Sequence, residues 1–253
     1  MAASLTGHWK TWVFASDLHG DEQDEAVVRR FEKFLADYNP SIRIFGGDVF
    51  NFAALRRGAG PEDRARPLRH DMEIGLGFLE RMFSPKCDQR HLLWGNHDIC
   101  RLLHLAETSK QDGLLQQLAL DGIHDIESKV KKLGIKALPY HKRLGILEIG
   151  HAKFAHGYYC GVNAARQHAI TYGSLHYGHT HTIDLAPVPG LERRVARSGG
   201  CLCKLDLDYN SRNPSTLRQA HGWMYGAVNL KTGMFFTQQA EEIDGVWSVD
   251  IIK

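Results

Sequence analysis

The 253-residue chain contains no run of 18 apolar residues, so no stretch of it reads as a membrane-spanning helix. Met1 to Trp12 lack the basic start and apolar core of a secretory signal. Cysteine is sparse. The five thiols (Cys87, Cys100, Cys160, Cys201, Cys203) are odd in number and unpatterned, which argues against a disulfide framework, and Cys201 with Cys203 is too little for a structural zinc site. Together these absences point to a reducing, cytoplasmic setting. No charge of one sign predominates either. The 31 Lys and Arg against 29 Asp and Glu leave +2, so affinity for a polyanion has to come from a local patch. No repeat, low-complexity tract or linker divides the chain, and 24% charged with 43% hydrophobic residues suits one globular domain over 1–253.

What the sequence does have is a rhythm. Trp9 to Ser16 is aromatic and β-branched, reads as a buried strand, and ends in Asp17-Leu18-His19-Gly20. A helical stripe through Val27, Phe31, Phe34 and Leu35 follows and stops at Asn39-Pro40. Ser41 to Phe45 repeats the pattern, running into Gly46-Gly47-Asp48-Val49-Phe50-Asn51 and then a helix through Ile74, Phe78, Leu79 and Met82. His91 to Trp94 is the third such strand, ending in Gly95-Asn96-His97-Asp98 before a helix resumes at Ile99. Strands that each deliver Asp, Asn or His at the carboxyl end, each followed by a helix, are the layout of an open α/β sheet, whose ligands bind at that edge.

Further on, Leu114 to Leu120 and Asp125 to Leu133 read as two short helices. Short strands follow at Ile135 to Tyr140, Leu144 to Ile149 and Ala152 to Ala155, the last reaching His156-Gly157. After a helix over Asn163 to Tyr172, a strand from Ser174 ends in Gly178-His179-Thr180-His181. The tail, 197–252, is β-rich with turns at Lys231-Thr232-Gly233 and Asp244-Gly245, and is expected to complete a second sheet.

The polar groups gathered at strand ends are Asp17, His19, Asp48, Asn96, His156, His179 and His181, with His97 left over. Each alone has an ordinary explanation: Asp48 as a helix cap, Asn96 in a turn, His156 as a satisfied core histidine. Together they are the mixed nitrogen and oxygen donors that two adjacent divalent ions require, with one carboxylate able to bridge. Asp98 reads as the cap of the helix that follows it, with orientation of His97 as the alternative.

The ordered set Asp17-Leu18-His19, Gly47-Asp48, Gly95-Asn96-His97-Asp98, His156 and Gly178-His179-Thr180-His181 resembles the signature of the calcineurin-like metallophosphoesterases. The resemblance implies a four-layer α-β-β-α sandwich, two mixed β-sheets flanked by helices. It also implies a dinuclear centre in which Asp17, His19 and His181 hold one ion, Asn96, His156 and His179 the other, and Asp48 bridges. Mn²⁺ is the expected metal, with Fe, Zn²⁺, Co²⁺ and Ni²⁺ as alternatives. His97 would be the catalytic histidine, acting as an imidazolium near the leaving-group oxygen.

The sequence departs from the Ser/Thr protein phosphatase branch, whose second motif reads Gly-Asp-x-x-Asp-Arg-Gly. Here Asp48 is followed by Val49-Phe50-Asn51-Phe52, closer to nucleases and phosphodiesterases. The insert after Asp48 has Arg56, Arg57, Arg64, Arg66 and Arg69 against Glu62 and Asp63, five positive less two negative, net +3, in what reads as an irregular loop. Arg56, Arg57 and, on the helix after His97, Arg101 are candidates for holding substrate phosphate, a solvated basic surface being the alternative. Tyr158, Tyr159 and His176 either stack a base or sugar or simply pack. The expected activity is hydrolysis of a phosphodiester in a nucleic acid or nucleotide. Its rivals are a phosphomonoesterase acting on a small metabolite and a non-catalytic scaffold of the same fold.

Overall fold

Strand β1 (Trp9–Ala15) shows how the layers arise. Successive side chains of a strand face opposite sides. Trp12 and Phe14 therefore join Ile42, Ile44, Phe154 and Met224 in one apolar cluster, while Val13 and Ala15 join Phe31, Phe78 and Leu79 in another. The first cluster lies between two sheets and the second between a sheet and its helices. The computed structural model describes residues 7–83, 86–192, 194–205 and 214–251. The ends of the expected domain, and part of its β-rich tail at 206–213, lie outside the described residues.

β1, β2 (Ile42–Phe45), β3 (Gln89–Leu93) and β4 (Lys136–Leu138) run parallel in one sheet. Between them come α1 (Glu25–Tyr38), α2 (Pro61–Ala65), α3 (Leu68–Phe83), α4 (Ile99–Thr108) and α5 (Gly113–Lys132). Asp24 caps α1 by accepting from the N–H groups of Ala26 and Val27, and Asn39 ends it in the left-handed conformation. The second sheet holds β5 (Leu147–Ile149), β6 (Ala152–Ala155), β7 (Leu175–Tyr177), β8 (Ile183–Val188) and β9 (Arg194–Gly199) in the order β5-β6-β7-β9-β8. Helix α6 (Ala164–Tyr172) sets Ala165 and Ala169 against its outer face, with Leu175, Tyr177 and Ala196. The result is the four-layer sandwich of two mixed sheets flanked by helices. Among the described residues no helix is long and apolar enough to cross a membrane.

Three expectations need correction. The tail does not complete the second sheet: of its described strands only β9 lies there, whereas β10 (Gly222–Asn229), β11 (Phe235–Ile243) and β12 (Val246–Trp247) extend the first, in the order β12-β11-β10-β1-β2-β3-β4. β10 pairs antiparallel with β1 from Trp9↔Asn229 to Phe14↔Met224. It thereby covers a strand whose apolar residues face both ways, which would otherwise be an exposed edge. The two short helices expected after residue 113 are one, α5. Gly122 does not break it because Ala119, Ile123, Ile126 and Val130 carry a single buried stripe past it. The basic insert is also more ordered than expected, since it contains α2 and a 3₁₀ turn at Ala53–Leu55. Helix α7 (Ser248–Ile251) closes the described chain.

Candidate metal centre

The carboxyl ends of β1, β2 and β3 meet those of β6 and β7 along one margin of the sandwich, and every candidate ligand leaves a strand there. The turns are sharp. Asp17, His19, Asp48, His179 and His181 have φ between 52° and 68°, in the left-handed region, and account for five of the eight non-glycine residues found there among those described. Asp, Asn and His tolerate this conformation better than most side chains. Backbone bonds tie the first two loops together, Asp17 N–H to the Gly47 carbonyl and His19 N–H to that of Asp48, both at 2.9 Å. Gly95 has to be glycine because a Cβ on it would stand 2.0 Å from Asp48 Oδ1.

Two sets of donor atoms converge in this shell. In the first, His181 Nε2 faces His19 Nε2 at 3.0 Å and Asp17 Oδ1 at 3.4 Å. In the second, His156 Nε2 faces Asn96 Oδ1 at 3.1 Å and Asp48 Oδ2 at 3.4 Å, while its Nδ1 donates to the Gly46 carbonyl at 2.7 Å. His179 brings a ring nitrogen into this second set, within 4.8 Å of Asp48 and His156. Asp48 Oδ2 also lies 3.7 Å from His19 Nε2, so one oxygen faces both sets. Asp48 Oδ1 is taken by His97 N–H at 2.9 Å, and the Asp17 carboxylate accepts His179 N–H.

Lone pairs crowd onto both ring nitrogens, and only a proton or a cation reconciles such an arrangement. In the protein alone the proton does so. Burial pushes the His181 imidazole down, but the Asp17 carboxylate overrides it and lifts it to about 9. Asp48 does the same for His156, also to about 9. His19 also has Asp48 nearby, but burial outweighs that attraction, and burial likewise lowers His179, taking both to about 4. Neutral imidazoles and ionised carboxylates at mixed N/O positions are a donor set that fits divalent transition ions.

The surrounding residues revise several expectations. Asp98 stands at the start of α4 but makes no cap bond. Its carboxylate accepts instead from Asp48 N–H at 2.9 Å, Phe50 N–H at 3.0 Å and Gly95 N–H at 2.7 Å, pinning the second loop to the third. It therefore neither caps the helix nor hydrogen-bonds His97. Burial and the nearby Asp48 charge lift this carboxyl to about 7. Arg101 donates to the carbonyls of Asn51 (2.6 Å) and Phe52 (3.2 Å), and its other arm donates to His97 Nε2 at 3.0 Å. Arg56 is ion-paired with Asp63, and Arg66 binds both Asp21 and Glu22, folding the insert over the first loop. Arg57 and Arg64 are exposed. His176 is not a stacking residue of the site: it is buried between the sheets, donating to the Lys153 carbonyl and bonded to Thr237.

Sequence reasoning missed Asp71, whose carboxylate accepts Asn51 N–H and Phe52 N–H and holds the end of the second loop. The readable signal was a carboxylate on the apolar stripe Asp71, Gly75, Phe78, Met82 of α3. It also missed Cys203, whose Sγ lies 3.7 Å from His181 Nδ1. No sequence pattern pointed to that contact.

The sequence pattern of the calcineurin-like phosphoesterases matches residues 11–183, and the chain belongs to that family. It is thus a metallophosphoesterase, a hydrolase of phosphate esters in a metal-dependent family. No curated protein matches the chain in sequence. Among solved structures it is similar to an archaeal phosphodiesterase at 12% identity, covering 90% of this chain and 99% of that one, with a TM-score of 0.44. It is also similar to Vacuolar Protein Sorting 29 from Cryptosporidium parvum at 12% identity, 96% coverage of each chain and a TM-score of 0.49. A third similar structure is Yfce, a phosphoesterase from E. coli, at 16% identity, 90% and 97% coverage and a TM-score of 0.40.

Proposed function

We propose that the chain is a dinuclear phosphodiesterase acting on a nucleotide or nucleic acid. Asp17, His19 and His181 hold one ion, Asn96, His156 and His179 hold the other, and Asp48 is shared. The observation that carries this reading is Asp48 Oδ2, placed 3.7 Å from His19 Nε2 and 3.4 Å from His156 Nε2. A shared ligand has to face both donor sets with one carboxylate. Divalent ions bound there supply neutralisation of the phosphate charge and a lowered pKa for water. Mn²⁺ is the proposed occupant, and the donor set suits Fe, Zn²⁺, Co²⁺ and Ni²⁺ as well.

The chain's own residues position the substrate and donate hydrogen bonds to it. Burial takes His97 well below the ordinary imidazole range, so it is neutral, and Arg101 occupies its Nε2. Guanidinium only donates, which leaves the His97 proton on Nδ1, an atom that is buried without a hydrogen-bond partner among the described residues. That N–H is the group that can donate a hydrogen bond to a phosphate oxygen or departing alkoxide, and because the ring is neutral it stabilises charge there without giving up its proton. The fixed positive charge beside it belongs to Arg101 rather than to His97.

A diester with an organic substituent is favoured by the second motif, which lacks the Asp-Arg pair of the protein phosphatases, and by exposed Arg57 and Arg64 on the insert. A largely apolar cavity of ≈ 460 Å³, lined by Trp94, Ile99, Leu103, Val130 and Tyr140 with Glu127 and Lys131 among its other walls, adjoins the centre, since the Tyr140 ring meets the His156 ring edge to face at 5.6 Å. Five cysteines free of disulfides support a cytoplasmic setting. Turnover of bis-p-nitrophenyl phosphate and p-nitrophenyl phosphate with Mn²⁺ tests the reading. The diester is expected to be preferred, and a strong preference for the monoester would replace this reading with a phosphomonoesterase. No metal uptake and no turnover across Mn²⁺, Ni²⁺, Co²⁺ and Zn²⁺ would leave only a scaffold.

A further inference from the structure

The β-rich tail supplies none of the family's motif residues, yet its chain runs directly behind one proposed ligand. Thr182 and Gln219 form an antiparallel bridge, and Ala220 N–H donates to the His181 carbonyl at 2.9 Å. This pairing carries the Gln219 side chain to the back of the His181 ring. His181 Nε2 faces Asp17 and His19, so Nδ1 points the other way, toward the Gln219 amide at 3.4 Å and the Cys203 thiol at 3.7 Å.

A histidine that offers its Nε2 lone pair to a metal must carry its proton on Nδ1, and that N–H needs an acceptor to fix the ring. As placed, the Gln219 nitrogen faces Nδ1, which sets donor against donor, while the Gln219 oxygen is buried with no partner among the described residues. Turning the amide over cures the clash at Nδ1, because its oxygen and nitrogen exchange places without changing the shape of the side chain. The Cys203 thiol is the weaker candidate, since sulfur accepts hydrogen bonds poorly and lies farther away.

We propose that Gln219 is a positioning residue of the centre: its amide oxygen accepts the Nδ1–H of His181, fixes that ring's tautomer and aims Nε2 at the ion shared with Asp17 and His19. The inference rests on the proposed role of His181 as a ligand. It assigns the tail a part in metal binding that its sequence does not announce.

The test measures Mn²⁺ stoichiometry and affinity on the full chain by equilibrium dialysis with elemental analysis. Wild type, His181→Ala, Gln219→Leu, Gln219→Glu and Cys203→Ala are compared. Loss of an outer partner of a metal-bound histidine weakens the metal ~10- to 100-fold, so Gln219→Leu is expected to weaken one of two ions by that factor and spare the other. Gln219→Glu, which keeps an acceptor, is expected to restore most of the affinity, and Cys203→Ala to have little effect. If Gln219→Leu binds both ions as wild type does while His181→Ala loses one, the inference fails and the proposed centre stands. If His181→Ala also binds both normally, the centre itself is misassigned. A selective loss in Cys203→Ala alone transfers the role to the thiol and overturns the inference. Should Gln219→Leu not fold, nitrogen-15 NMR of the Zn²⁺-loaded wild type decides. A slowly exchanging proton on His181 Nδ1 with contacts to the Gln219 side chain supports the inference, and a bare Nδ1 overturns it.

Discussion

The Asp98 carboxylate accepts the backbone N–H of Asp48 at 2.9 Å, so the residue beside the proposed catalytic histidine shapes the turn that carries the proposed shared ligand. Phe50 and Gly95 donate to the same carboxylate. Replacing it strands three backbone donors in a buried turn, and each unsatisfied buried group costs ~1–3 kcal/mol. Asp98→Ala is therefore expected to lose at least ~3 kcal/mol of stability in urea unfolding of the metal-free protein. It should also bind metal poorly, because Asp48 is no longer held. Asp98→Asn keeps one acceptor oxygen and should lie between. Stability within ~0.5 kcal/mol of wild type for Asp98→Ala would show that the turn holds without it.

Asp71 makes stability depend on pH in a direction opposite to that of a salt-bridged carboxylate. Burial, opposed by the N–H groups of Phe52 and Asn51, lifts it from 3.8 to about 6. The folded state therefore binds this proton more readily than the unfolded chain does. The resulting stabilisation is complete below about pH 4 and is lost as pH rises to about 6, worth roughly 3 kcal/mol at most. Other carboxylates change in the same range, so the difference between wild type and Asp71→Asn isolates the effect. Urea unfolding at pH 4, 5, 6 and 7 should show wild type losing ground to the variant with rising pH, and parallel profiles would refute the assignment.

Arg101 joins His97 to the second loop through two arms of one guanidinium. Lysine preserves the charge but cannot reach both partners. Arg101→Lys is expected to lower kcat ~10- to 100-fold with a smaller change in KM, because the loss is in orientation at the reacting group. If KM rises and kcat is unchanged, Arg101 only holds substrate, as the sequence alone suggested.

Much of this was legible in the chain because strand ends announce themselves. Trp9 to Ser16 and Ala152 to Ala155 are apolar runs cut off by Asp17 and His156, and β1 and β6 end within a residue of those limits. The positions of the candidate ligands followed from that. What stayed hidden is non-local. Nothing near Gly222 says that β10 will pair with β1 rather than join the second sheet. Asp98 looked like a cap because caps are local, and its three partners come from loops up to 50 residues away. The arginines of the insert could be counted, but the pairing of Arg66 with Asp21 and Glu22 could not.

Metal loading should release protons, and the ligand sets predict how many. His156 and His181 are each lifted to about 9 by their carboxylate neighbours, so both are protonated at pH 7 and must lose that proton to coordinate. His19 and His179, taken down to about 4, are already neutral and release none. Titration calorimetry at pH 7 in buffers of different ionisation enthalpy should therefore report at least about two protons for two ions, Asp98 and bound water adding to that number. The variants partition this signal. His179→Ala is expected to lose mainly the ion of Asn96 and His156 and to halve the release, and His19→Ala to do the same for the other ion. Asp48→Ala should weaken both, because its carboxylate is the group that faces the two sets. Equal loss of both ions in the His19 and His179 variants would show that the centre does not divide as proposed, and full metal content in Asp48→Ala would remove the shared ligand from it.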